Sequence, residues 1–350
     1  MAKNYNYSPI SDDDKLFFSL IDYRNNYFIS DNPDKIIQFY DGFNNREQLI
    51  AWMKDRPKGN CRIREIEGNK DIIVVIPTID TDGKFAKNCI EDIYTGLHLI
   101  FVESGYNNFY FNYAYNCNIG IKKAMVYNPK WIIISNDDMY KVDDMYKVDD
   151  IGILTTFLKE QNPDKESTVY GADNEKHSTN SALIFMGHIF RISSLFRDIG
   201  FTGIKYYNTI KKKQILLKKF DCKLITIRNK KIFNMFLKPK DTFYVGQALY
   251  IFSRKFILKM HNTVFDDTYI NGYEDSDISY IIFKQKIKAI HSNFRISAAN
   301  GSSLGNYDVK KASPLDFKKN KQNIQSGLSR EIRDLADVVY FNYKLTNSDK

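Results

Sequence analysis

Three short apolar runs without polar interruption constrain the fold of this chain more than any other feature. The runs cover residues 72–76, 99–102 and 131–134. Continuous apolar runs, unlike alternating ones, are typical of strands that are buried on both faces of a parallel sheet. The stretch 109–127 between two of them has helical character and would end before Pro129. The pattern predicts an α/β fold with a right-handed, doubly wound, mostly parallel sheet.

Local signals predict three more elements. Asn45 would cap a helix over 46–54, because Gln48 stands at the position that a capping box requires. A second helix is predicted over 151–159, and a strand is predicted over 289–296. Residues 1–70 are otherwise polar and show no recognisable chemistry, so we treat them as an N-terminal accessory extension.

Composition excludes several classes of protein. The 350 residues are 43% apolar and include four cysteines, which rules out a disordered, collagen-like or disulfide-stapled chain. The cysteines form no C-x-x-C pair and the sequence shows no secretory signal pattern, so we expect reduced thiols in a cytoplasmic protein. No apolar run approaches the roughly 18 residues that a bilayer span needs, so we expect no transmembrane segment.

The net charge of +9 is concentrated in one segment. Residues 205–240 hold twelve Lys or Arg and a single acid, Asp221, so the rest of the chain sums to −2. Tyr and Phe residues are interspersed among these cations. This combination suits anionic surfaces such as phospholipid headgroups or phosphorylated acceptors, and nucleic acid less specifically. A solvated Lys-rich face accounts for the same run equally well.

Carboxylates follow each of the three apolar runs. In chain order the strand-end residues are Thr78 and Asp80, then Glu103 and Ser104, then Asp137 and Asp138. In a doubly wound sheet such ends meet at one edge, where ligands bind. Carboxylates gathered there repel one another unless a cation lies between them, and Mg²⁺ or Mn²⁺ shared with a substrate diphosphate is the natural cation. Each carboxylate alone is also explained by the preference of Asp and Glu for loops and helix starts.

A series of segments, taken in chain order, resembles the A-type glycosyltransferase fold (GT-A), and within it glycosyltransferase family 2. They are the first run with its turn, the second run through Gly105, the helix motif Asn118-Ile119-Gly120-Ile121 with Ala124, the strand before Asp137-Asp138, and the stretches 246–254, 265–267 and 273–278. The resemblance spans about residues 71–305. It implies a nucleotide-sugar-binding half over 71–170 and an acceptor-binding half over 171–305, followed by a C-terminal helical tail over 306–350.

The resemblance also implies a donor site. Asp138 would ligate the metal, with Asp137 supporting it. The remaining nucleotide-sugar contacts would come from Thr78, Asp80, Glu103, Ser104, Asn118 and Asp137. Among these, Asp80 and Glu103 would hold the base and the ribose.

On the acceptor side, the resemblance makes Asp275 the general base that takes the proton of the acceptor hydroxyl, with Glu274 as its neighbour. A purely structural alternative stays open, in which Asp275 or Ser276 caps a helix that runs through Ile278.

Two features depart from the family. Where family members often carry a histidine after the Glu-Asp pair, this chain has Ala298-Ala299-Asn300, which leaves Asn300 or water as the third metal ligand. The hexad Asp-Asp-Met-Tyr-Lys-Val occurs at 137–142 and again at 143–148. Six residues are not a whole number of helical turns, so the two copies cannot present their acids equivalently. We favour Asp137-Asp138 as the metal pair because it follows the strand directly.

Together these observations predict an inverting, metal-dependent glycosyltransferase that moves a sugar from a nucleotide-diphosphate sugar to an acceptor hydroxyl. The acceptor would be a glycan or a lipid-linked or phosphorylated molecule, and the basic segment would bring the protein near an anionic membrane. Nucleic acid is not expected as a partner. Two alternatives stay open. One is a nucleotidyltransferase, which the missing glycine-rich loop disfavours. The other is a non-catalytic module that binds anionic polymers or a membrane surface on a transferase-like scaffold.

Overall fold

The structure, a computed structural model, contains an α/β unit and a group of packed helices. It describes residues 30, 32–56, 58, 60–104, 112–141, 151–164, 168–171, 212–222, 249–270, 272–292, 294, 296–298 and 321–347. The strands are β1 (Arg62–Ile66), β2 (Asn69–Thr78), β3 (Leu97–Glu103), β4 (Trp131–Ser135), β5 (Met139–Lys141), β6 (Thr168–Gly171), β7 (Leu249–Ser253), β8 (Lys288–His291) and β9 (Ile296–Ala298). The helices are α1 (Pro33–Asp41), α2 (Arg46–Asp55), α3 (Lys84–Asn88), α4 (Tyr113–Met125), α5 (Ile151–Glu160), α6 (212–219), α7 (Arg254–Lys259), α8 (Glu274–Lys284) and α9 (Lys321–Asn347). None of these described helices is both long and apolar enough to cross a bilayer.

Seven strands form one open sheet in the order β1-β3-β2-β4-β7-β6-β8. Strand β2 is parallel to both β3 and β4. Strands β6 and β8 are parallel to each other. They run in the same direction as β2, β3 and β4, because β7 is antiparallel to both β4 and β6. Within this sheet β1 and β7 run the other way. The predicted α/β class is confirmed, with a mixed open sheet in which three neighbouring strand pairs are parallel and three are antiparallel, and the three apolar runs lie in the inner strands β2, β3 and β4.

Helices cover both faces of the sheet. Ile73 and Val75 of β2 pack with side chains of α4 and α8, whereas Ile72 and Val74 pack with side chains of α3 and α5. Helix α4 approaches β2 closely because Gly120 leaves room, and a Cβ at that position would stand 2.2 Å from Cγ1 of Val75. Burial on both sides explains why the runs are continuous rather than alternating.

Two predicted elements differ from the structure and a third matches it. The strand predicted over 289–296 is two strands, because β8 pairs within the large sheet whereas β9 pairs with β5 in a separate two-stranded sheet. The helix predicted over 109–127 is α4, which begins at Tyr113 after its N-cap Asn112 and ends at Met125. Helix α2 is as predicted, with Oδ1 of Asn45 accepting a hydrogen bond from the Gln48 N–H at 3.0 Å.

Helices α1, α2, α6 and α9 bury their apolar faces against one another, and we call this group the helical cluster. It brings together parts of the predicted N-terminal extension and C-terminal tail, while β1, which also precedes residue 71, lies in the large sheet. Tyr40 of α1 enters the hydrogen-bond ladder of α9: its hydroxyl donates to the Ile332 carbonyl at 2.9 Å and accepts from the Ala336 N–H at 3.1 Å. The contact between α1 and α9 is therefore fixed by hydrogen bonds as well as by apolar burial.

The described part of the basic segment, 212–222, contributes to the fold. Its buried apolar residues in the helical cluster are Leu216, Leu217 and Phe220. Nζ of Lys212 lies 3.0 Å from Oδ1 of Asp34, and Nζ of Lys219 donates to the Tyr40 carbonyl at 3.1 Å. The basic residues of 205–211 and 223–240 lie outside the described residues, so the expected contact with an anionic surface stays a prediction.

Candidate functional site

The parallel strands β2, β3 and β4 end at one edge of the sheet, and their last residues are neighbours. Thr78 at the end of β2 lies opposite Glu103 at the end of β3. Strand β4 runs along the other side of β2 and ends at Ser135, just before the two aspartates. We call the resulting group the strand-edge site: Thr78, Asp80, Glu103, Ser104, Asp137 and Asp138.

Asp137 and Asp138 are adjacent buried acids, 5% and 3% exposed. The Thr78 hydroxyl donates to Oδ2 of Asp137 at 2.7 Å, which ties the end of β4 to β2. Burial raises the pKa of Asp137 to about 6; the hydrogen bond from Thr78 opposes this shift and the negative charge of Asp138 adds to it. Burial and the same two carboxylates raise the pKa of the Cys89 thiol, so that thiol stays neutral beside the pair. A divalent cation would offset both the desolvation and the repulsion of the two acids.

A metal at this position would draw its protein ligands from the acid pair. The described residues contain no group of three or more His, Cys, Asp or Glu side chains that could hold a metal ion. Two carboxylates nevertheless suit Mg²⁺ or Mn²⁺, which often take their remaining ligands from water and substrate phosphates. Strand β9 pairs with β5 so that Ala298 lies opposite Met139, the residue that follows the acid pair. Asn300, the predicted third ligand, and the second hexad at 143–148 lie outside the described residues.

The carboxylates predicted to hold the nucleoside organise the turn after β2. Oε2 of Glu103 accepts from the Thr81 N–H at 2.9 Å, and Oδ1 of Asp80 accepts from the Asp82 N–H at 2.9 Å. Arg64 of β1 supports the same turn, since its Nη1 donates to the Thr81 carbonyl at 2.6 Å. Both carboxylates thus shape the loop that borders the strand-edge site, and their contact with a nucleoside stays a prediction.

Ser104 connects the strand-edge site to α4. Its N–H donates to the Thr78 carbonyl at 3.2 Å, and its hydroxyl accepts from Nδ2 of Asn116 at 2.6 Å. The amide oxygen of Asn116 accepts in turn from the Cys61 thiol at 3.1 Å. Asn116 was not predicted as a site residue. The available signal was its place two residues before Asn118 in the same helix, which does not distinguish it from its neighbours.

Asn118 is engaged by a different part of the backbone, residues 264–270, which we call the 264–270 loop. Its Oδ1 accepts from the N–H groups of Val264 and Phe265 at 3.1 and 3.2 Å, and its Nδ2 donates to the Phe265 carbonyl at 2.7 Å. The side chain is 3% exposed. These contacts give Asn118 a scaffolding role, and its predicted contact with the nucleotide stays a prediction.

Side chains from other elements also hold the 264–270 loop. Nδ2 of Asn112 donates to the carbonyls of Asp267 and Tyr269 at 2.8 and 2.9 Å. Nη2 of Arg56 donates to the Tyr269 carbonyl at 2.7 Å, and Nζ of Lys58 lies 2.6 Å from Oδ1 of Asp267. Burial lowers the pKa of Arg56 to about 10, against the opposing effect of nearby carboxylates. The loop has no regular secondary structure, and side chains rather than a backbone ladder fix its path.

Glu274 and Asp275 stand in the first turn of α8. The helix begins after Tyr273, whose φ of 72° lies in the left-handed region that is uncommon for residues other than glycine. Oδ1 of Asp275 accepts from the Ser276 N–H at 2.6 Å. The structural alternative of a helix start at these residues is confirmed, although Asp275 and Ser276 lie inside the first turn and neither is the N-cap.

The surroundings of Glu274 perturb its pKa. Burial, and after it the negative charge of Asp275, raises the pKa of Glu274 well above its ordinary value. Glu274 also lies close enough to α4 that its charge contributes, after burial, to raising the pKa of the Cys117 thiol. Since Asn116 on the same helix reaches the strand-edge site, α4 borders both groups of carboxylates.

No protein-family model matches this chain, and no curated protein matches it. What the protein does therefore has to be inferred from the chemistry of these two groups of carboxylates.

Proposed function

We propose that this chain is an inverting, metal-dependent glycosyltransferase of the GT-A type, similar to members of glycosyltransferase family 2. The observation that carries the proposal is the buried Asp137-Asp138 pair at the carboxyl end of β4, hydrogen-bonded to Thr78 of the adjacent parallel strand. Burying two adjacent acids is costly unless they are neutralised. A divalent cation shared with a substrate diphosphate neutralises them and binds the substrate in the same step.

On the donor side, Asp138 and Asp137 would hold Mn²⁺ or Mg²⁺, while Asp80 and Glu103 would hold the nucleoside of a nucleotide-diphosphate sugar. When bound, the cation supplies Lewis-acid stabilisation of the negative charge on the departing diphosphate. The contribution of the protein is orientation. Thr78 fixes Asp137 through its hydroxyl, and Glu103 fixes the turn that carries Asp80.

On the acceptor side, Asp275 is the proposed general base. It would take the proton of an acceptor hydroxyl while that oxygen bonds to the anomeric carbon and the bond from this carbon to the diphosphate oxygen breaks, which inverts the carbon. General-base assistance of this kind is worth on the order of 10²–10⁴ in rate. Burial and the negative charge of Asp275 raise the pKa of Glu274, which disfavours a second negative charge next to the base.

The proposed acceptor is a glycan or a lipid-linked or phosphorylated molecule that binds on the α8 side of the site. Contact of the basic segment 205–240 with an anionic membrane, and a cytoplasmic location, belong to the same proposal. Flotation with vesicles of anionic phospholipid tests the membrane contact, and protein that stays out of the vesicle fraction would remove that part of the proposal.

Thermal unfolding with UDP, GDP and dTDP, each with and without Mn²⁺, tests the proposal as a whole. A ligand at a hundred times its dissociation constant adds about 2.7 kcal/mol, which moves the midpoint by several degrees. We expect a shift that needs one of the nucleotides together with Mn²⁺ and that is lost in Asp138→Ala. The matched control is Asp71→Ala, which removes an exposed carboxylate that pairs with Lys130 at 2.8 Å and should keep the shift. A folded wild type that responds to none of the nucleotides would refute the proposal and favour the non-catalytic module.

A further inference from the structure

Lys344 of α9 joins two segments that are distant from it in the sequence. Its Nζ lies 2.8 Å from Oδ2 of Asp266 in the 264–270 loop and 2.6 Å from Oδ2 of Asp277 in α8. Both contacts are hydrogen-bonded ion pairs. One ammonium group therefore connects α9, the 264–270 loop and the first turn of α8.

The surroundings of Lys344 strengthen these two contacts. The side chain of Asp277 is 2% exposed and that of Lys344 is 27% exposed, so the pair is far less screened than a surface ion pair. Nζ of Lys344 lies 5.7 Å from the ring centroids of Tyr269 and Tyr340, within cation–π range. Burial raises the pKa of Asp277 although the charge of Lys344 opposes that shift, which shows how strongly this carboxylate is removed from water.

This contact bears on the rotation of α8 about its axis, together with the packing of Ile278 and Ile282 against the sheet. Asp275 and Asp277 are two residues apart, which is roughly 200° around a helix, so holding Asp277 against α9 directs Asp275 to the opposite side. The helix begins directly after Tyr273, which adopts a left-handed backbone conformation. Lys344 of α9 thus adds a charged contact to the apolar packing that orients α8 and with it Asp275.

We infer that Lys344 is a positioning residue that holds the first turn of α8 and thereby aims Asp275 at the acceptor. The inference rests on the proposed function for the role of Asp275, whereas the claim that Lys344 fixes α8 does not depend on it. The inference also places α9, part of the predicted C-terminal tail, at the proposed active site. The family resemblance left this tail outside the transferase unit.

The test compares Lys344→Met, Lys344→Arg and Tyr340→Phe in the full chain. Methionine keeps the length of the side chain without its charge, and arginine can still donate to both carboxylates. Tyr340→Phe is the matched control, because it removes the 2.8 Å hydrogen bond to Asp266 and leaves the pair between Lys344 and Asp277 in place.

Two measurements read the effect. In amide hydrogen exchange we expect Lys344→Met to lower protection of residues 276–279 by about tenfold or more, with arginine restoring it and Tyr340→Phe keeping it near the wild-type value. In the release of nucleoside diphosphate from a panel of UDP-, GDP- and dTDP-sugars with Mn²⁺, we expect kcat to fall by about 10²-fold in Lys344→Met while the KM for the donor is unchanged. Arginine should recover kcat, which a general loss of stability would not predict.

The outcomes separate this inference from the proposed function. If the wild type turns over a sugar nucleotide and Lys344→Met keeps both its kcat and the exchange protection of 276–279, the inference is overturned and the proposed function stands. If the wild type binds none of the nucleotides, the proposed function fails. The exchange data then decide alone whether Lys344 fixes α8.

Discussion

Replacing Asp137 by asparagine should stabilise the metal-free protein at neutral pH. Burial raises the pKa of Asp137 in the folded state from the ordinary value of 3.8 to about 6. A raised folded-state pKa contributes stability that is fully present below pH 3.8 and is lost as the pH rises through about 6. At 1.36 kcal/mol per pKa unit, the loss amounts to about 3 kcal/mol by pH 7.5. Asparagine carries no charge and its Oδ1 can still accept from Thr78, so the variant avoids this loss.

The assay is urea unfolding of the wild type, Asp137→Asn and the surface control Asp71→Asn at several pH values between 4 and 8 in the presence of EDTA. We expect the wild type and Asp137→Asn to have nearly equal stability at pH 4 and to diverge between pH 4 and about 6, with the variant more stable by about 3 kcal/mol at pH 7.5. Adding Mn²⁺ should stabilise the wild type more than the variant. Equal stability at pH 7.5 without metal, or a less stable variant, would refute the claim that the fold holds this charge against its desolvation cost.

Three further predictions concern the scaffold. Tyr40→Phe removes the hydroxyl from the α9 ladder and should cost about 1–3 kcal/mol in urea unfolding; an unchanged midpoint would contradict that role. Gly120→Ala places a Cβ 2.2 Å from Cγ1 of Val75 and should cost about 1–3 kcal/mol, while the control Gly272→Ala, with no atom within 4 Å, should cost much less. Deleting 139–144 leaves the same Met-Tyr-Lys-Val sequence after the first acid pair, so β5 can form again and the Mn²⁺-dependent nucleotide shift should persist. A folded deletion variant without that shift would show that the second copy of the hexad is needed.

The elements that the sequence predicts well are those specified by local patterns. Strands β2, β3 and β4 contain the three apolar runs, because burial on both faces excludes polar residues from those runs. Helix α2 coincides with its predicted range because the hydrogen bond between Asn45 and Gln48 is made within four residues of chain. The meeting of the strand ends at one edge follows from parallel topology, so the grouping of Thr78 with Asp137 was predictable as well.

The features that escaped prediction depend on which segments meet in space. Apolar periodicity reports that a residue is buried but not what covers it, so 289–296 looks like one strand although its two ends pair in different sheets. Asn118 stands in a motif that suggests nucleotide binding, but its amide holds a loop 146 and 147 residues further along the chain. Lys344 carries no local signal, because its partners Asp266 and Asp277 are 78 and 67 residues away.

The acids after β4 and the acids of α8 are held in place by different kinds of contact, so substitutions elsewhere in the chain should affect the two groups differently. The acids after β4 are fixed by a parallel backbone ladder, which constrains position whatever the side chains around it. The first turn of α8 and the 264–270 loop are fixed by side chains from α4, α9 and the end of α2, each replaceable by a single substitution. Changes in the helical cluster should therefore alter the geometry around Asp275 before they disturb Asp137 and Asp138. If the acids after β4 serve the donor and those of α8 the acceptor, the fold keeps a constant donor site while leaving the acceptor side open to change.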